Sequence, residues 1–101
     1  MSSERFAALI QLNPENEMFR FSYGEALFEE EKYKESLEHL QICIDRKPNW
    51  MIPHILLGKA YVALKKKEEA IPLLEKALIL AKEQHHEDPE TEVSALLGDL
   101  K

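Results

Sequence analysis

Apolar residues recur along the chain at spacings of three and four, the period of a helix that buries one face. Tyr33, Leu37, Leu40 and Ile44 line one side of a helix expected over 33–46. Ile71, Leu74, Leu78 and Ala81 do the same from about 67 to 85, and Val93, Leu96, Leu97 and Leu100 form a stripe over 89–101. Local chemistry marks the breaks. Asn13-Pro14-Glu15-Asn16 ends one helix and offers Asn16 as the N-cap of the next, and Asp88-Pro89-Glu90 supplies a cap, a first-turn proline and an acid that suits the helix dipole. Pro72 falls about one turn inside its helix, where few backbone donors have partners to lose, so only a mild distortion is expected.

Two further helices are apolar on two sides. At about 100° per residue, Phe19, Tyr23, Ala26 and Leu27 share one side of the first, and Pro53, Leu57, Ala60 and Tyr61 share the matching side of the second. These are core faces. A second stripe lies nearly opposite, with Met18, Phe21 and Phe28 in one helix and Ile52, Ile55 and Val62 in the other.

The two helices are copies. At an offset of 34, Gly24 falls on Gly58, Ala26 on Ala60, Glu35 on Glu69, Leu40 on Leu74 and Pro14 on Pro48, while Tyr23/Leu57, Leu27/Tyr61, Ser36/Ala70 and Cys43/Ala77 keep their size class. With Leu57-Gly58, Tyr61, Ala70, Leu74 and Ala77 in one copy and Tyr23-Gly24, Leu27, Ser36, Leu40, Cys43 and Pro48 in the other, the chain resembles the tetratricopeptide repeat (TPR) family. Arg20 and His54 stand where that family has a large apolar residue, which implies looser packing at the start of each first helix, and Lys82 replaces the closing proline of the second copy. The resemblance implies an all-α helical solenoid forming a single domain: a half-repeat helix over 2–13, repeats over 17–50 and 51–88, and a C-terminal helix over 89–101. Leu96-Leu97-Gly98 echoes Leu56-Leu57-Gly58 at an offset of 40, so the last helix reads as the first half of a third repeat, after a six-residue insertion that lengthens the second helix of repeat 2. That last helix is expected to cap the solenoid. The alternative is that it joins the initial helix of another molecule, completing a repeat head to tail.

Charge narrows the partners. With 13 Lys and Arg against 19 Asp and Glu the net charge is −6, which lacks the clustered basic surface that nucleic-acid binding needs. The 32% charged and 45% apolar composition is that of a folding, charge-rich helical domain. No apolar run reaches the roughly 20 residues of a membrane span, and the apolar start is short, broken by Gln11 and preceded by Glu4 and Arg5, so no signal peptide is expected. One cysteine, Cys43, builds no disulfide framework and fits a reducing, cytoplasmic setting.

The resemblance places the first helix of each repeat on a concave groove. Met18, Phe21, Phe28, Ile52, Ile55 and Val62 would then form a contiguous apolar patch there, with Glu25 and Lys59 at equivalent places inside it and within reach of each other. Such a groove suits an amphipathic helix or peptide from another protein. The last helix covers the groove if it folds back, but in register it sits beside its neighbour and leaves the groove open. The TPR clamp for a C-terminal carboxylate uses Lys and Asn where this chain has Phe21, Glu25 and Leu56, so that ligand is not implied.

Reactive chemistry is sparse. His85 and His86 are adjacent and point about 100° apart on a helix, which is poor metal-ligand geometry and fits a solvated turn. His39 and His54 are isolated in the sequence. Cys43 takes the place of a small alanine between helices and reads as a buried structural thiol. Three glycines make no phosphate loop and no serine sits in a nucleophile elbow, so no enzyme, metal or cofactor is implied. Glu29-Glu30-Glu31 and Lys65-Lys66-Lys67 mark equivalent turns of opposite charge. The expected function is a protein-interaction scaffold, with a self-assembling homo-oligomer as the alternative.

Overall fold

The computed structural model describes residues 3–101, which form six helices: α1 (Ser3–Leu12), α2 (Glu17–Glu29), α3 (Tyr33–Arg46), α4 (Met51–Ala63), α5 (Lys67–Glu83) and α6 (Glu87–Leu100). Ser2, the first residue of the expected half-repeat helix, lies outside the described residues. Each helix packs on the next in sequence, and α2 also touches α4, so the chain stacks helix on helix into a solenoid 40 × 28 × 21 Å in extent.

Helix ends repeat as faithfully as helix faces. Asn16 caps α2, its side-chain oxygen accepting from the Phe19 N–H at 2.9 Å. At the other end of α2 the Lys32 N–H donates to the Leu27 carbonyl and the Glu31 N–H to that of Phe28, with Glu31 at φ 62°. The same pair of bonds closes α4 around Lys65 (φ 62°) and α5 around His85 (φ 58°). These are Schellman terminations built on residues other than glycine, so each holds a left-handed backbone against its own Cβ.

Glycine sets the distance within each hairpin. A Cβ on Gly24 would lie 3.0 Å from Leu40 Cγ, and one on Gly58 would lie 2.7 Å from Leu74 Cδ2. Leu40 and Leu74 are both fully buried, so the leucine of the second helix sits directly on the bare backbone of the first. Gly98, in the equivalent place on α6, meets nothing within 4 Å.

Three details depart from expectation. The start of α4 is not loosely packed, because His54 is only 5% exposed and bonds the Trp50 carbonyl through Nδ1 at 2.7 Å. Asp88 does not cap α6, which begins one residue earlier at Glu87 with no side-chain cap on its first turn. The six inserted residues are shared out: α5 ends three residues later than α3 does, α6 starts four residues early relative to α4, and the connection is one residue shorter. Pro72 leaves α5 continuous.

Two core clusters hold the stack together. Leu40, Ile44 and Leu57 centre the first, with Phe21, Leu37, Leu56, Tyr61 and Leu73 against them. The second joins Met51 and Ile55 of α4, Leu74, Ala77, Leu80 and Ala81 of α5, and Val93 and Leu97 of α6. At the opposite end, α1 is tied down by polar contacts: the Ser3 N–H and hydroxyl both donate to the Glu30 carboxylate, at 2.6 and 2.9 Å, and hold its pKa below the usual carboxylate value.

Candidate functional site

The apolar stripe drawn from the sequence divides into three environments. Ile55 is 4% exposed and belongs to the core, where Val93 and Leu97 of α6 share its cluster; Val62 is half-buried against the same residues. Neither presents a free surface. This corrects the expected groove: α6, stacked in register beside α4 and α5, covers that part of the stripe because a first helix in this solenoid turns one flank to its successor. Phe21 and Phe28 are half-buried. Phe21 packs on the first cluster and tilts against Trp50 at 4.9 Å, while Phe28 meets the Tyr33 ring edge-on at 5.3 Å. Met18 and Ile52, which are equivalent at the 34-residue offset, remain exposed at 58% and 37%.

The two charges inside the stripe do not meet. Lys59 donates to the Glu92 carboxylate of α6 at 2.9 Å instead, a half-exposed pair worth about 0–1 kcal/mol. Glu25 faces the other way, into a crevice it lines with Phe6, Ser22, Ala26 and Glu29. Burial, and then the Glu29 charge, raise its pKa above the usual value.

Trp50 is the functional-looking residue that periodicity does not find. It sits in the α3–α4 connection, half-buried, and with Met18, Lys47, Pro48 and Asn49 it lines a hollow of about 570 Å³. Lys47 lies 5.7 Å from the Trp50 ring centroid, a cation–π distance, and its ammonium pairs with Glu17 at 2.9 Å. The available signal was simple: this is the chain's single tryptophan, in a Pro-Asn turn rather than on a helix face.

The isolated histidines have partners in space. His39 packs against Tyr23 with the rings tilted 56° and centroids 4.5 Å apart, and faces an Arg20 guanidinium nitrogen 3.2 Å from its Nδ1. Burial, then the Arg20 charge, lower its pKa, so its neutral ring accepts from Arg20. Burial likewise lowers that of His54, whose Nδ1–H donates to the Trp50 carbonyl. Cys43 is 1% exposed and its thiol is pushed up to about 11 by burial, far from the thiolate a nucleophile needs. His85 and His86 lie exposed in the α5–α6 turn.

Six helices, with the Gly–Leu approaches of α2–α3 and α4–α5 repeating at a 34-residue spacing, define a TPR-type helical solenoid, a repeat class generally devoted to non-catalytic protein interaction. Residues 3–77 match the family described as anaphase-promoting complex, cyclosome, subunit 3, and the chain belongs to that family. The solution structure of protein BPP2914 from Bordetella parapertussis superposes with a TM-score of 0.82 at 24% identity, over 97% of this chain and 85% of that one. A MamA RS-1 ArsTM double mutant superposes with a TM-score of 0.72 at 20% identity, over 97% of this chain and 63% of that one. At these identities the likeness is one of fold. No curated protein matches the chain. No helix among the described residues is long and apolar enough to cross a membrane.

Proposed function

We propose that the protein is a cytoplasmic interaction scaffold that holds a peptide or amphipathic helix of a partner protein on the ledge formed by Met18, Trp50 and Ile52, with Phe21 as its floor. One observation carries this reading. After the core has absorbed Ile55 and Val62, exposed Met18 still flanks a hollow of about 570 Å³ beside a half-buried tryptophan, with exposed Ile52 two residues further along. Large aromatic and methionine side chains at the mouth of a hollow are the usual anchors of protein recognition. Repeats over 17–50 and 51–88 are the units that build it, and neither nucleic acid nor membrane is a partner in this reading. The test is affinity capture from host extract, followed by titration of the captured partner through Trp50 fluorescence. Met18→Glu with Ile52→Glu should abolish the fluorescence change while leaving the thermal melt in place; undiminished binding refutes the ledge.

Self-assembly is the second reading, and the open flank at Gly98 favours it, since the same position on α2 and α4 receives a leucine from the next helix. Light scattering across a concentration range decides it. A monomer at every concentration removes this reading.

A further inference from the structure

We propose that Arg20 and His39 form an acid-released latch that holds the turn between α1 and α2 against α3. The latch is internal to the chain and does not depend on what the ledge binds.

The Arg20 side chain leaves α2 and bridges two other elements. One guanidinium nitrogen donates to the Pro14 carbonyl of the turn at 3.2 Å, and another lies 3.2 Å from Nδ1 of His39 on α3. The Arg20 Nε is buried and meets no acceptor. Among the described residues no carboxylate forms an ion pair with Arg20, and Glu15, the one acid of the turn, is taken by Arg46 at 3.5 Å. A guanidinium carries only donors and stays charged, so His39 has to supply a lone pair at Nδ1, which only the neutral ring possesses. Protonation there sets donor against donor and cation against cation. The bond is lost, and Arg20 keeps a single acceptor for a half-buried charge.

The surroundings leave this contact exposed to pH. Tyr23 of α2 packs on the His39 ring. Burial and the Arg20 charge oppose its protonation, and Glu38 on its own helix offsets them only in part. Cys43, one turn further along α3, is uncharged in this range, its thiol raised to about 11 by burial. The device belongs to the first repeat alone. At the 34-residue offset Arg20 and His39 correspond to His54 and Leu73, and His54 uses Nδ1 as a donor to the Trp50 carbonyl, a bond that protonation keeps. In the opened turn His39 regains its ordinary proton affinity, near pH 6.5, so the open form takes up the proton first. The latch is complete above about pH 6.5 and weakens as pH falls through the lower value of the closed form.

Amide hydrogen exchange on the whole chain reads the turn directly. The N–H groups of Asn16, Phe19 and Arg20 bond within it or across its junction with α2. After correction for the intrinsic exchange rate, their protection should fall about fivefold between about pH 7.5 and about pH 5. His39→Asn keeps an acceptor near the place of Nδ1 but does not titrate, and should leave that protection level across the range. Should this variant fail to fold, Arg20→Gln decides: it keeps a donor without the charge, so the His39 ring, followed by NMR, should titrate at higher pH and the acid response of the turn should shrink. A wild-type turn whose protection does not change, an equal fall in His39→Asn, or a His39 midpoint unmoved by Arg20→Gln overturns the latch. So does a turn as strongly protected as α5, because it would then open only with the whole fold.

Discussion

Gly24, Gly58 and Gly98 occupy one place in three successive first helices, and replacing each by alanine should give three different outcomes. In a helix interior alanine is favoured over glycine by roughly 0.5–1 kcal/mol, and that gain is common to all three. What differs is the space. At Gly58 the new methyl would stand 2.7 and 2.8 Å from Leu74 Cδ2 and Cγ, and Leu74 is fully buried with nowhere to turn. Overpacking of this kind costs about 1–3 kcal/mol, so Gly58→Ala should lose a net of about 1–2 kcal/mol. At Gly24 the nearest atoms of Leu40 are 3.0 Å away and yield with a shift of a few tenths of an ångström. The two effects then nearly cancel, within about 0.5 kcal/mol. Gly98→Ala meets nothing and should stabilise by about 0.5 kcal/mol, the lower end of the range because α6 ends two residues later, at Leu100. Urea denaturation followed by helical circular dichroism reads all three, and in a domain of this size each kcal/mol moves the thermal midpoint by about 4–8 °C. A Gly98→Ala variant as destabilised as Gly58→Ala, or a Gly58→Ala variant as stable as the wild type, would refute the close-approach account of the hairpin.

Three further outcomes follow from particular contacts. Ile55→Glu puts a charge into the cluster with Val93 and Leu97 and should cost at least about 3 kcal/mol in a thermal or urea melt, whereas Met18→Glu should stay within about 0.5 kcal/mol; equal effects would contradict the division of the stripe. Glu31→Gly and Lys65→Gly each relieve a left-handed backbone and should raise the urea midpoint, by about 0.5–1 kcal/mol after the greater chain entropy of glycine is subtracted; a loss would show the Schellman turns to be unstrained. Burial lowers the folded pKa of His39 and His54 below the unfolded value near 6.5, so the unfolded chain takes up protons first and their contribution, complete above about pH 6.5, is lost as pH falls from there through the folded values. Stability measured from about pH 7 to about pH 5 should therefore fall, and His54→Gln should flatten the slope; a rise on acidification in that window has the wrong sign.

Much of the fold was legible because packing in a repeat is written twice. The limits of α3 agree with the periodicity of Tyr33, Leu37, Leu40 and Ile44, and Asn16 caps α2 as its place before the helix implied. Boundaries blurred where two signals overlapped. Asp88-Pro89-Glu90 has the chemistry of a helix start, but acids and proline are equally at home inside a first turn, and α6 begins at Glu87. His54 was expected at a loose position because imidazole is polar, yet burial is tolerable once Nδ1 finds the Trp50 carbonyl, a partner in the preceding turn that no side-chain pattern records.

The candidate site was legible only in part, and the reason is geometric. An apolar stripe says that a helix face wants cover; it does not say who covers it. In a solenoid each first helix touches its own second helix, its predecessor and its successor, so two apolar stripes on opposite sides are both interior. Ile55 and Val62 face the successor α6, and Phe21 is taken up by Trp50 and the Leu40–Leu57 cluster. What stays free is the N-terminal part of the second stripe, where Met18 and Ile52 remain in water, while Glu25 lines the crevice beside α1. Trp50 sits in a connection, where a helical period has nothing to say, yet it packs on the half-buried Phe21 and lines the hollow with its own ring. On the proposed reading, recognition falls to the residues left over when repeats stack. A change that loosens the α4–α6 contact, such as loss of the Lys59–Glu92 pair, should alter the ledge less than one at Trp50, which both builds and lines it.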